Sequence, residues 1–143
     1  MNKIDLGDVM IRTQLRPGDI GYVVYMHGDL YSKEYGYGIS FEAYVAKGLY
    51  EFYKNYKPAL DGIWIAEHNG KMVGFLLLMA RENNAAQLRY FILDPLYRGI
   101  GLGKKMAALY MKHLRDKQFK TSYLLTTHEL FAAAHIYEKW DLC

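Results

Sequence analysis

Nine consecutive residues, Tyr97-Arg98-Gly99-Ile100-Gly101-Leu102-Gly103-Lys104-Lys105, place three glycines at alternate positions behind an arginine and ahead of two lysines. Bare backbone lets an anion approach main-chain N–H groups closely, because no Cβ stands in the way. If the stretch opens a helix, its first-turn N–H groups lack intrahelical acceptors and sit at the positive end of the helix dipole, an arrangement suited to phosphate. Arg98, Lys104 and Lys105 add charge that a diphosphate would welcome. Two nucleotide motifs fail by counting. A Walker A loop needs Gly-Lys-Ser/Thr, whereas Gly103-Lys104 is followed by Lys105 and Arg98 stands where the earlier glycine belongs. A dinucleotide fingerprint needs GxGxxG, whereas Gly99 and Gly101 are followed at the third position by Lys104. A loop that needs glycine only for positive φ, with solvated lysines beside it, fits the same residues.

The elements that must position this loop can be read on either side of it. "VMIRTQL" (9–15) alternates as a short strand, and Asp19 after "RPG" is placed to cap a helix through "IGYVVYMHGDLYSKE". Ser40 is placed to cap a second helix, in which Phe41, Val45, Leu49 and Phe52 recur at helical spacing and which ends near Pro58. "GIWIAEHNGKMVGFLLLMA" predicts a hairpin, because Asn69-Gly70 is the pair favoured where both turn residues need φ > 0. "QLRYFILD" (87–94) predicts a further strand closed by Asp94-Pro95. A helix over about 101–117 presents Leu102, Met106, Leu109, Tyr110 and Leu114 on one face, "KTSYLLTT" returns to the sheet, and "HELFAAAHIYEKW" makes a final helix. The expected fold is a mixed α/β domain occupying residues 1–143.

Composition narrows the function classes. At 143 residues with 52% hydrophobic and 23% charged side chains, the chain can enclose one apolar core and is neither disordered nor fibrous. A net charge of +3, with bases and acids alternating, leaves no broad footprint for nucleic acid but leaves room for a small anion. The single cysteine, Cys143, excludes an internal disulfide and a cysteine-based zinc site. The longest apolar run, "MVGFLLLMA", is too short to span a bilayer, so a cytoplasmic location without membrane or nucleic-acid partners is expected. His128 and His135 are seven residues apart, too far for one ion without help, and no metal is predicted.

The run Arg98-Gly99-Ile100-Gly101-Leu102-Gly103 resembles the R/Q-x-x-G-x-G/A signature of the GNAT superfamily of N-acetyltransferases, and it follows a strand as it does in that family. "LLTTHELFAAAHIYEKWDL" resembles the family's closing strand and helix, with Ala133, Tyr137, Glu138 and Lys139 at the matching helical positions and Leu130 where an Asn is usual. This segment and "GDIGYVVYMHGDLYSKEYGYGISFEAYVA" are similar to the branch often fused to MarR-type regulators. The resemblance implies a mostly antiparallel central sheet flanked by helices. It also implies acetyl-CoA as co-substrate, its acetyl and pantetheine groups along the backbone of Phe91, Ile92 and Leu93. The pyrophosphate would lie on residues 98 to 104: Arg98, Gly99, Ile100, Gly101, Leu102, Gly103 and Lys104. The family adds Gly-Phe and two more strands where this sequence reads Trp140-Asp141-Leu142-Cys143, so those strands are expected to be missing and the exposed edge to pair with a second copy as a homodimer.

The reaction implied is direct attack of a primary amine, on a small molecule or a protein, at the thioester carbonyl. Tyr137 is by resemblance the acid that protonates the departing thiolate. "QLRYFILD" carries Arg89 and no Glu, so the base is sought on the two N-terminal helices: Glu42, beside core-facing Phe41, and His27, whose ordinary pKa near 6.5 suits proton uptake at neutral pH. Asp29, Glu34 and Glu42 can instead attract a cationic amine. A non-catalytic module that binds acetyl-CoA or CoA, or a regulatory one, is the alternative reading.

Overall fold

The computed structural model describes residues 4–124 of the 143-residue chain. The chain runs β1 (Met10–Arg12), α1 (Asp19–Tyr35), α2 (Ile39–Lys54), β2 (Gly62–His68), β3 (Lys71–Arg81), β4 (Ala85–Leu93), α3 (Leu102–Asp116) and β5 (Thr121–Tyr123). The strands lie in one sheet in sequence order. The first four are antiparallel, and β5 joins β4 in parallel. A parallel neighbour requires a crossover, which α3 supplies.

The sheet is mixed and flanked by helices on both faces. β3 is the spine: Val73, Phe75, Leu76, Leu77 and Leu78 are fully enclosed, as a strand covered on both faces requires. On one face α1 and α2 pack Val23, Met26, Val45, Leu49 and Phe52 against Ile63, Ile65, Phe75 and Leu77. On the other, α3 seats Leu102, Met106 and Tyr110 against Trp64, Val73, Leu76 and Leu88. The Tyr110 hydroxyl and Ser122 Oγ, 2.7 Å apart in the interior, tie α3 to β5. The β2–β3 turn has Asn69 at φ 53° and Gly70 at φ 75°, as expected of a type I′ hairpin.

Both expected helix caps are corrected. Gly18 and Gly38 hold the N-cap positions, neither with a side-chain cap bond, and Asp19 and Ser40 lie inside the first turns. Asp19 is taken by a tertiary contact instead. It accepts from Arg12 Nη1 at 2.6 Å and Nη2 at 3.0 Å, and from the Arg16 N–H at 2.6 Å. Arg12 Nε also donates to Glu67 at 2.7 Å, so one guanidinium fastens β1 to α1 and β2. Burial works to raise the Asp19 pKa, but the bonds from Arg12 and Arg16 outweigh it and hold the carboxyl below its ordinary value.

The register between β3 and β4 shifts once. Phe75 faces Ile92 and Leu77 faces Arg89, so one residue of β3 opposes two of β4, a β-bulge. Tyr90 carries the strain at φ 60°. Its hydroxyl lies over α2 at Gly48, where a Cβ would overlap it. Gly48→Ala is therefore expected to lower stability by about 1–3 kcal/mol in urea denaturation, the usual cost of overpacking. Adding Tyr90→Phe should recover part of that loss, and strictly additive losses would contradict the contact.

Candidate functional site

β5 pairs with β4 only at Ala85, Ala86 and Gln87. Beyond these pairs among the described residues, β4 runs on to Leu93 and into the turn that leads to the glycine loop. The expected segment Phe91, Ile92 and Leu93 lies here. Ile92 is buried in the α1/α2 layer, while Phe91 and Leu93 pack on the α3 side. Asp94 then turns the chain, accepting from the Leu96 N–H at 2.9 Å at the start of the 3-10 turn Pro95–Tyr97.

The glycine loop follows. Gly99 at φ 81° and Gly101 at φ 93° adopt left-handed backbone that side chains rarely take. Gly101 is the N-cap of α3 and supplies no capping side chain, and the first intrahelical bond in this turn runs from the Lys105 N–H to the Gly101 carbonyl. The N–H groups ahead of it, from Leu102 to Lys104, are the ones an α-helix leaves without intrahelical acceptors. Gly103 serves packing: a Cβ there would meet Leu93 at 3.4 Å. Leu102 is fully enclosed, anchoring the helix start against the sheet, while Ile100 is half-buried and Lys104 exposed. The loop thus sets uncapped N–H groups just beyond the end of β4, a placement that fits a diphosphate.

Arg98 is not a free charge. It makes a two-pronged pair with Glu34 of α1, Nη2 to Oε1 at 2.8 Å and Nη1 to Oε2 at 3.1 Å. Glu34 is thereby occupied, as Asp29 is by Lys33 at 3.1 Å. The pair straps α1 to the loop, and the loop's remaining positive charge falls to the lysines and the helix start.

The two base candidates meet the α1–α2 contact in different ways. Glu42 lies across Gly28, where a Cβ would run into its carboxylate. His27 is buried between the rings of Tyr31 and Tyr90, each 5.7 Å away, and its Nδ1–H donates to the Val23 carbonyl of its own helix at 2.8 Å. Burial lowers its pKa to about 4, with Arg89 adding to the effect and the bond to Val23 only partly opposing it. The ring supports the bulge from behind, and its enclosure, at 2% exposed with Nδ1 bonded to its own helix, rather than its basicity keeps it from the base role. Tyr137 lies outside the described residues.

The residues that strand alternation concealed are on β4 itself. Because of the bulge, Arg89 and Tyr90 project on the same face, toward α1 and α2. The Arg89 guanidinium sits 4.5 Å from the centre of the Tyr90 ring and 5.8 Å from that of Tyr44, and Nη2 donates to the Tyr44 hydroxyl at 3.3 Å. Two successive large polar side chains in an apolar strand were the available signal. Among the described residues no group of three His, Cys, Asp or Glu is arranged to hold a metal, and no helix is long and apolar enough to cross a membrane.

Comparison with known proteins agrees with this geometry. The family model described as acetyltransferase (GNAT) family matches residues 25–141. The uncharacterized N-acetyltransferase YjgM of Escherichia coli K12 is 34% identical over 91 residues, covering 62% of this chain and 54% of its own. The match thus spans about half the length of that relative. The fold superposes on a GNAT-family acetyltransferase of Staphylococcus aureus with a TM-score of 0.72 at 18% identity, over 91% of this chain and 81% of that one. It also superposes on a Clostridium acetobutylicum predicted acetyltransferase solved with acetyl-CoA, with a TM-score of 0.68 at 15% identity over 94% and 90%.

His27 makes the site's pH behaviour testable. Its folded pKa is depressed, so the neutral ring stabilises the fold fully above the unfolded value near 6.5, and that contribution is lost as pH falls toward about 4. Urea midpoints taken between these pH values should fall more steeply for the native chain than for His27→Phe. Parallel curves would mean that the ring takes up a proton within the fold.

Proposed function

Because this chain belongs to the acetyltransferase (GNAT) family, we propose that it transfers the acetyl group of acetyl-CoA to a primary amine of a small molecule or protein. The observation that carries the reading is the uncapped, glycine-opened start of α3 directly after the end of β4. A helix start of this kind suits a diphosphate.

Acetyl-CoA supplies the activated acyl group. The backbone of residues 98 to 104 holds the diphosphate, and the edge from Phe91 to Leu93 aligns the thioester. A main-chain N–H on that edge is the donor for the carbonyl oxygen as it gains negative charge. The amine nitrogen forms its bond to the carbonyl carbon as the carbon–sulfur bond breaks. The amine's surplus proton leaves to a base, and the sulfur receives one from Tyr137. His27, neutral and enclosed, positions Tyr90 and the bulge. Glu42, half-buried at the α1–α2 contact, is the carboxylate that remains for proton removal, directly or through water.

Two measurements check this reading. Acetyl-CoA should raise the melting temperature in a concentration-dependent way where adenosine and AMP do not, and no shift with acetyl-CoA would remove its premise. Tyr137→Phe is expected to slow thiol release about 10²- to 10⁴-fold at unchanged acetyl-CoA affinity, the usual worth of a positioned acid. An unaffected rate would assign the proton to another donor.

A further inference from the structure

A cavity of about 80 Å³ opens on the α1/α2 face of the sheet, between the C-terminal half of α2 and the strands β3 and β4. Five charged side chains line it: Arg81 and Arg89 from the strands, Glu51 from α2, and Lys57 and Asp61 from the connection into β2. Their charges are not equally available. Asp61 is spent on the backbone, accepting from the Ala80 N–H and the Lys57 N–H at 2.8 Å each. Arg81 Nε donates to Gln87 Oε1 at 2.7 Å, which leaves its charge uncompensated. Arg89 has no carboxylate within ion-pairing distance among the described residues. Two guanidinium groups and a lysine thus outnumber the two carboxylates, Glu51 and Asp61.

The neighbouring neutral groups point the same way. The buried side-chain polar atoms that lack a partner among the described residues are Gln87 Nε2 and the Tyr90 hydroxyl, and both flank Arg89 on β4. Gln87 pairs with Met79 and Arg89 with Leu77, side chains of the α1/α2 layer, and the bulge brings Tyr90 to that side as well. Of these, Arg89 lines the cavity, and the Tyr90 hydroxyl lies with Arg89 Nη2 at Gly48, which lines it too. A guanidinium beside a phenolic O–H is complementary to a carboxylate, whose oxygens only accept.

Building on the acetyl-transfer reading, we propose that this cavity receives a carboxylate of the amine acceptor, with Arg89 as its anchor, so that the substrate is a small amino acid. Arg89 and Phe91 are two residues apart, at most about 7 Å along a strand and less across the bulge at Tyr90. A carboxylate held by Arg89 and an amine meeting the acyl group at Phe91 are thus separated by roughly the length of a short amino acid. The cavity has room for a carboxylate and a methylene or two, and the stacking of Arg89 on Tyr90 and Tyr44 fixes the guanidinium plane for a two-pronged contact.

The test measures thiol release from acetyl-CoA with glycine, β-alanine and 4-aminobutyrate, each against its carboxylate-free counterpart: methylamine, ethylamine and propylamine. At least one amino acid should exceed its counterpart in kcat/KM by tenfold or more, and Arg89→Gln should cut that ratio at least tenfold, with Arg89→Lys between. Tyr90→Phe should lower the ratio without lowering the melting temperature, because it removes only a buried hydroxyl that has no partner among the described residues. It also keeps the test open if Arg89→Gln does not fold. Turnover of the plain amines as efficient as that of the amino acids would overturn this inference and leave the transferase reading standing. Absence of thiol release with every amine would overturn the transferase reading. In that case calorimetric titration of the same amino acids decides the cavity: binding that Arg89→Gln abolishes upholds the carboxylate site, and no binding to the native chain overturns it.

Discussion

A strand that carries one residue more than its neighbour must bulge, and in β4 the surplus falls at Tyr90. Left-handed backbone at a tyrosine costs about 1–2 kcal/mol, so packing has to impose it. His27 stands against one edge of the ring, the Arg89 guanidinium lies over its face, and Gly48 removes the side chain that would block its hydroxyl. With that support the bulge puts Arg89 and Tyr90 on one face, toward α1 and α2, where Arg89 lines the cavity.

Electrostatics then divides the labour along the site. Near the loop, Glu34 pairs with Arg98, so positive potential comes from the start of α3 and the exposed lysines rather than from the arginine. Near the cavity Asp61, the buried carboxylate, is bonded to main-chain donors, and Arg81 and Arg89 form no ion pair among the described residues. The two proposed ligand groups would therefore be met by different means at opposite ends of one strand: a diphosphate by backbone amides, and a small planar carboxylate by a rigid guanidinium.

Much of this was legible in the sequence where a single local rule governs. Asn69-Gly70 specifies its hairpin because few other residues tolerate φ > 0 at both turn positions. The apolar positions of α2 and α3 found the core because helical spacing alone sets which side chains share a face. Tertiary competition decided the rest. Asp19 looks like a cap until Arg12, seven residues earlier, takes its carboxylate. His27 looks like a base until two tyrosine rings and a helix carbonyl are packed around it. The bulge is least visible of all, since Leu88-Arg89-Tyr90-Phe91-Ile92 reads as an apolar strand with one irregular charge, and only the register with β3 shows that the irregularity is the site.

Stability alone gives no reason for the composition of that face. A buried donor left without an acceptor costs about 1–3 kcal/mol, and β4 carries one at Gln87 and another at Tyr90. Elsewhere this chain satisfies its interior polar groups with care: both Asp61 oxygens are bonded, and Tyr110 meets Ser122. Phenylalanine in place of Tyr90 would remove one such penalty at little change in volume, since that hydroxyl has no partner among the described residues. Unpaired donors grouped around an arginine without a carboxylate are what a binding site looks like before its ligand arrives, because the missing acceptor is the ligand's own. The fold accepts a local loss at these two side chains, and the rigid double-sided burial of β3 beside them keeps the donors from rearranging to satisfy one another.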